Sequence, residues 1–132
     1  MAFRIYDTEQ HEWVHDKIYM NPEGELFKIR QGLFGMSKIP LDPERYVCHE
    51  SINLADRNGV EIFEGDYLRA AIDDTKVVVG LVAFAHELSA YIILCVDSDE
   101  FFTLGSEFTE LIKVIGNVFD GYATTDGEIK YE

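Results

Sequence analysis

At 132 residues the chain has room for one domain, or one domain with a small extension, and its 47% apolar residues are enough for a real core. Its formal charge of −14 disfavours phosphate backbones and anionic membranes, so neither direct nucleic-acid binding nor membrane association is expected. Basic partners, including the basic surfaces of nucleic-acid-binding proteins, stay open.

Chain order begins with Phe3 and Ile5 alternating with Arg4 and Tyr6, which predicts a short strand. Asp7-Thr8-Glu9-Gln10 is turn-like, and Trp13, Val14, Ile18 and Tyr19 follow without a clean helical stripe. Asn21-Pro22-Glu23-Gly24 is a strong turn before another short strand at 26–29. Residues 31–44 carry Gly32, Gly35, Pro40 and Pro43 and read as loops with an exposed arm. A strand is expected over 46–52, and then turns at Asn58-Gly59 and Glu64-Gly65-Asp66.

The β-branched and aromatic runs 77–84 and 91–96, joined by Ala85 to Ala90, predict a hairpin. His86, Glu87 and Ser89 interrupt this longest apolar stretch, which excludes a membrane span. Ser106 is placed to cap a short helical turn. A last strand, 113–119, is interrupted by Gly116, and 123–132 form a loose polar tail. Short, regularly spaced strands with turn residues between them suggest a small barrel or sandwich.

Cys48 and Cys95 have no close spacing. Cys95, in an apolar run, reads as a small buried hydrophobe, and reduced thiols in a cytosol are expected, with a disulfide left open. The N-terminus shows no apolar segment of signal-peptide type.

The stretch LADRNGVEIFEGDYLR at 54–69, with FRIYD at 3–7 and VIGNVF at 114–119, resembles the YopX-like family of phage and prophage proteins. In that family Phe-Arg-x-Trp-Asp stands near the start, Leu-x-Asp-x-Asn-Gly-x-Glu-Ile-Tyr-Glu-Gly-Asp follows, and the pattern ends near Ile-Gly-Asn-Ile-Tyr-Glu. Here Leu54, Asp56, Asn58, Gly59, Glu61, Ile62, Glu64, Gly65 and Asp66 match directly, as do Ile115, Gly116 and Asn117. Tyr6 and Phe63 replace a tryptophan and a tyrosine, and the family's C-terminal Asn-Pro-Glu-Leu run is absent. Asn53 stands where the family has glycine, and asparagine tolerates the left-handed backbone such a turn needs.

The resemblance implies a mainly β domain over 1–122, encoded by a phage or prophage and located in the bacterial cytoplasm. Its C-terminal part, about 46–122, is implied to be a small barrel-like (SH3-like) unit, preceded by an N-terminal β-hairpin and loop-rich extension over about 1–45. It implies no reaction and no cofactor. The motif residues Asn58, Gly59, Glu64, Gly65, Asp66, Gly116 and Asn117 read as architecture. The first five reverse the chain, with Asp66 bonding nearby backbone N–H groups, and the last two mark a bulge or close backbone approach.

HEWVH at 11–15 matches the H-E-x-x-H pattern of zinc metalloproteases. On a helix His11 and His15 share a face and both reach one ion, while Glu12 activates the bound water. The context argues for a strand and turn instead. Along a strand the two histidines stand about 13 Å apart at ~3.3 Å per residue, too far for one ion. His49 and His86 are isolated, so no third ligand stands out. Trp13 is expected at the core's edge. Asp97, Asp99 and Glu100 lack the glycine and distal glutamate of a calcium loop, and with Asp73-Asp74 they read as exposed acidic turns.

Three functions compete. The first is a non-catalytic interaction module, with Leu33, Phe34, Met36 and Ile39 packing on a second copy or another protein, or else covering this domain's own core. The second is an acidic nucleic-acid mimic filling the basic cleft of a host DNA-binding protein, which needs acidic side chains on one face. The third is a zinc hydrolase built on HEWVH. The motifs favour the first.

Overall fold

The computed structural model describes residues 2–124 and 129–130. They form a mainly β protein in two compact units. One spans Phe3–His49, and the other comprises the remaining described residues, from Glu50 on, with Ala2.

In the first unit, β1 (Phe3–Asp7) pairs antiparallel with the two-residue β2 (Glu12–Trp13), Tyr6 opposite Trp13 and Asp7 opposite Glu12. Ile5, Tyr6 and Asp7 are all buried. A buried carboxylate needs partners. Asp7 Oδ1 accepts from the backbone N–H groups of Glu9 and Gln10 at 3.0 and 3.2 Å, and Arg45 donates to both carboxylate oxygens at 2.9 and 2.8 Å. That guanidinium holds the carboxyl well below the usual carboxylate range. The Asp of FRIYD therefore fixes the 7–10 turn to a residue 38 positions away.

A second, three-stranded sheet contains β3 (Tyr19–Met20), β4 (Leu26–Gly32) and β5 (Gly35–Pro40) in that order. Asn21 closes the turn before β4, its side chain accepting from the Glu25 N–H at 2.9 Å. The segment expected to be loop, 31–44, is therefore half strand. β4 and β5 make a regular hairpin, in register from Phe27 opposite Pro40 to Gly32 opposite Gly35. Most of its residues are exposed, so there is no buried face to write an alternating pattern into the sequence. β6 (Tyr46–Ala55) begins in this unit, beside β1, and continues into the second.

In the second unit β6 pairs with β7 (Glu61–Phe63), with an irregular register between Ser51 and Ala55. Asn53 lies in that irregularity with φ 62. β8 (Asp66–Ala71), β9 (Val77–Ala85), β10 (Ala90–Cys95), β11 (Phe101–Thr103), β12 (Ile112–Asn117), β13 (Gly121–Ala123) and β14 (Ile129–Lys130) complete a curled, half-barrel antiparallel sheet, ordered β11-β10-β9-β8-β12-β13-β14. The β9–β10 hairpin turns through a single 3-10 turn at His86–Leu88, with Ser89 at φ 49. A second 3-10 turn, Ser106–Leu111, follows β11. Its N-cap is Gly105, not Ser106, and it has no side-chain cap.

Period-two burial builds the core of this unit: Leu68 and Ala70 of β8, Val82 of β9, Ile93 of β10 and Ile112 of β12 meet Ile52 and Ile62. Tyr67, on the opposite face of β8 from Leu68, is buried against Tyr122, their rings 4.6 Å apart. Cys48 and Cys95 are half-buried, so Cys95, ending β10, is not a core residue. Of the tail expected to be loose, Ile129–Lys130 pairs with β13, and 125–128 and 131–132 lie outside the described residues. No helix among the described residues is long and apolar enough to cross a membrane.

Candidate functional site

Three sets of residues drew notice in the sequence: HEWVH, the turn motifs and the 33–39 apolar cluster. The structure places them in three different settings.

HEWVH is not helical. His11 is exposed in a turn at φ 56, Glu12 and Trp13 form β2, and His15 lies beyond the strand. Trp13 meets Tyr6 edge-on at 5.0 Å, the Arg4 guanidinium lies 4.5 Å over its ring, and His49 stands 6.2 Å away. Among the described residues no group of three or more His, Cys, Asp or Glu side chains is placed to hold a metal ion. A broad depression of about 460 Å³ runs along Glu12, Trp13, His15, Asp16, Lys28 and Tyr46, and Asp16 there is paired with Lys28 at 3.0 Å. Adding equimolar zinc is expected to leave the native mass spectrum at the metal-free mass. A chelator-sensitive shift of one zinc ion per chain would reverse this.

His49, beside Trp13, titrates low. Burial pushes its imidazole down to about 4, and the nearby Arg4 charge acts in the same direction. An unfolded histidine takes its proton near 6.5, so between pH 6.5 and 4 the unfolded chain binds a proton that the folded chain refuses. Stability is therefore expected to fall as pH drops through that window, with the ring's partial exposure limiting the size. Thermal melts at pH 7 and pH 5 check it: Tm falls in the native chain, and the fall shrinks in His49→Gln.

The turn motifs are structural, and the two distant motifs meet in space. Gly59 and Gly65 take φ 80 and 89, which only glycine adopts at low cost. Asp66, buried, accepts from the Phe63 N–H at 2.8 Å. Asn117 Oδ1 accepts from Phe119 and Asp120. Asn58 donates its backbone N–H to Asp56, and Glu64 its own to the Glu50 carbonyl.

Asp56 and Asp7 are the residues whose roles the sequence did not disclose. Asp56 Oδ1 accepts from Asn58 and Val60 at 2.8 and 2.9 Å, and Oδ2 from Val114, 58 residues on, at 2.9 Å. Burial pushes this carboxyl up, but the three N–H bonds outweigh it and leave it below its ordinary value. Val118 also donates to the Gly65 carbonyl, and Asp66 lies opposite Asn117 across β8–β12. Motifs 54–66 and 114–119 are thus two halves of one joint.

The apolar cluster behaves differently. Leu33 and Phe34 form the two-residue tip of the β4–β5 hairpin and are 95% and 103% exposed. Met36 beside them is exposed, and Ile39, opposite Lys28 lower on the hairpin, is half-buried and outside the tip. Neither Leu33 nor Phe34 has positive φ; Gly35 supplies it at 129. Polar residues would make this turn equally well. Leaving two large apolar side chains in water forgoes roughly 1.5–3 kcal/mol each, available only if something covers them. From Leu26 to Leu41 the chain has no acidic residue but carries Lys28, Arg30 and Lys38, so the hairpin is cationic in a chain of charge −14.

A family model described as YopX protein matches residues 2–121. Two solved structures are similar in fold. Protein yopX from Bacillus subtilis has a TM-score of 0.59 at 17% identity, over 89% of this chain and 92% of that one. Protein EF1440 from Enterococcus faecalis has a TM-score of 0.51 at 22% identity, also over 89% and 92%. No curated protein matches the chain.

Proposed function

Because the chain belongs to the YopX protein family, we propose that it is a non-catalytic, phage- or prophage-encoded interaction protein of the bacterial cytoplasm, acting without a cofactor, and that the β4–β5 hairpin tip is its contact element. The observation that carries this reading is the full exposure of Leu33 and Phe34 on an ordered, cationic hairpin. Interfaces draw their energy from a few such large side chains buried at the centre, with polar and charged groups around them. The residues of the family motifs are, by contrast, engaged in turns and strand pairing.

The double variant Leu33→Ser/Phe34→Ser tests it. Because both side chains are in solvent, folding stability is expected to stay within about 0.5 kcal/mol of the native value. Association, read by sedimentation and by capture of partners from a host lysate, is expected to be lost. Identical sedimentation and an identical captured set for the two proteins would sink the proposal.

A further inference from the structure

The second unit holds a small apolar cavity of about 110 Å³. Ile72 just past β8, Ile93 of β10, Phe102 of β11, and Phe108, Leu111 and Ile112 around the second 3-10 turn line it. Engineered apolar cavities of ~150 Å³ accept one benzene ring. This one is smaller and open on one side, so it admits the edge of one aromatic ring and no longer segment. Its rim is acidic. Exposed Glu107 and Glu110 flank Phe108 and Leu111, and exposed Asp73 and Asp74 follow Ile72. Of the cations near it, Lys76 is bound to Glu100 at 2.9 Å, and Lys113 follows Ile112.

We propose that the chain self-associates, with Phe34 at the hairpin tip of one copy seated in this cavity of a second copy. The inference rests on the reading of the tip as a contact element and adds what receives it. Two features match. The tip presents one aromatic ring, fully exposed, and the cavity is apolar and open, with room for the edge of one ring. Behind the tip stand Arg30 and Lys38, with Lys28 paired to Asp16 at 3.0 Å, and next in the chain to lining residues of the cavity stand exposed Asp73, Glu107 and Glu110, with Asp74 one residue further. Opposite charges framing a buried apolar anchor steer the encounter and fix the orientation, and their contribution is screened by salt. A single tip in a single cavity is a contact of the small, transient class, so the association is concentration-dependent.

The experiment uses the full chain with p-benzoyl-phenylalanine in place of Met36, exposed beside the tip, so that Phe34 stays intact, irradiated alone and in host lysate, alongside sedimentation velocity over a range of protein and salt concentrations. The expected result is an adduct between copies that maps to 70–72 or 102–112. With it comes a dimer or larger species that weakens about tenfold or more in the rim variant Glu107→Lys/Glu110→Lys and at high salt. Both rim residues are exposed, so the variant's Tm should be unchanged and a failure to fold is not confounding. Adducts between copies that map elsewhere overturn the cavity and leave the tip as a contact element. A monomer at every concentration whose adducts form only with a host protein overturns self-association and leaves the tip reading intact. A monomer with no adduct in either setting removes both.

Discussion

Asp56→Ala is expected to lower stability by about 4 kcal/mol and Tm by about 10–20 °C. The alanine removes one acceptor from three backbone N–H groups at once, those of Asn58, Val60 and Val114. A buried donor left without an acceptor costs roughly 1–3 kcal/mol, and a bond to a charged group is worth ~1.5–3. The three losses share one side chain and will not add fully. Against a total stability of ~5–15 kcal/mol this is a large fraction. Asp56→Asn discriminates the mechanism. Its Oδ1 still serves Asn58 and Val60, but its amide N–H₂ now faces the Val114 N–H, donor against donor. Roughly half the loss should remain, concentrated at the β12 end and visible as faster amide exchange at Val114. Equal stability of all three proteins in thermal melts would show that the joint between the two motifs is not held by this carboxylate.

Gly116→Ala is the second large effect, and its origin is steric. Gly116 sits at the bulge in β12, opposite Tyr67 on one side and Tyr122 on the other. A Cβ there would fall on the Gly121 carbonyl oxygen and lie 2.8 Å from the Gly121 carbonyl carbon and 2.9 Å from the Tyr122 Cα. All three are backbone atoms and have no rotamer by which to move aside. Overpacking typically costs ~1–3 kcal/mol where side chains can yield, so about 3 kcal/mol or more is expected here. Displacing β13 also separates Tyr122 from Tyr67. The loss should therefore appear in near-ultraviolet circular dichroism before the far-ultraviolet sheet signal goes. A Gly116→Ala protein that melts within a degree of the native chain would refute the close approach.

Where the sequence was legible, a physical pattern was written locally. The 77–96 hairpin has β-branched and aromatic runs bounded by a polar turn, and it folds as β9 and β10. Asn53, expected to stand in a turn that needs left-handed backbone, has φ 62. Two kinds of feature were opaque. The β4–β5 hairpin buries almost nothing, so no alternation marked it, and its two glycines and Pro40 resembled loop punctuation. Asp7 and Asp56 act on partners 38 and 58 residues away, and a carboxylate's distant partner leaves no periodicity to read. HEWVH shows the converse: an i, i+4 spacing has chemical meaning only on a helix, and the letters carry no record of φ 56 at His11.

The joint that Asp56 makes with Val114 also bears on synthesis. Translation delivers the 54–66 turn early and its acceptor's third donor 58 residues later. At ~5–20 residues per second that interval is several seconds. Until β12 emerges, the Asp56 carboxylate has only its local bonds, and β8 lacks the neighbour that separates it from solvent on that edge. Long-range closure of this kind is slow because the loop entropy is lost before the contact forms. A chain cut short before Val114 therefore lacks the bond that ties the 54–66 turn to β12 and is expected to be open to proteases. The same half-made sheet edge is a template for strand pairing with its neighbours.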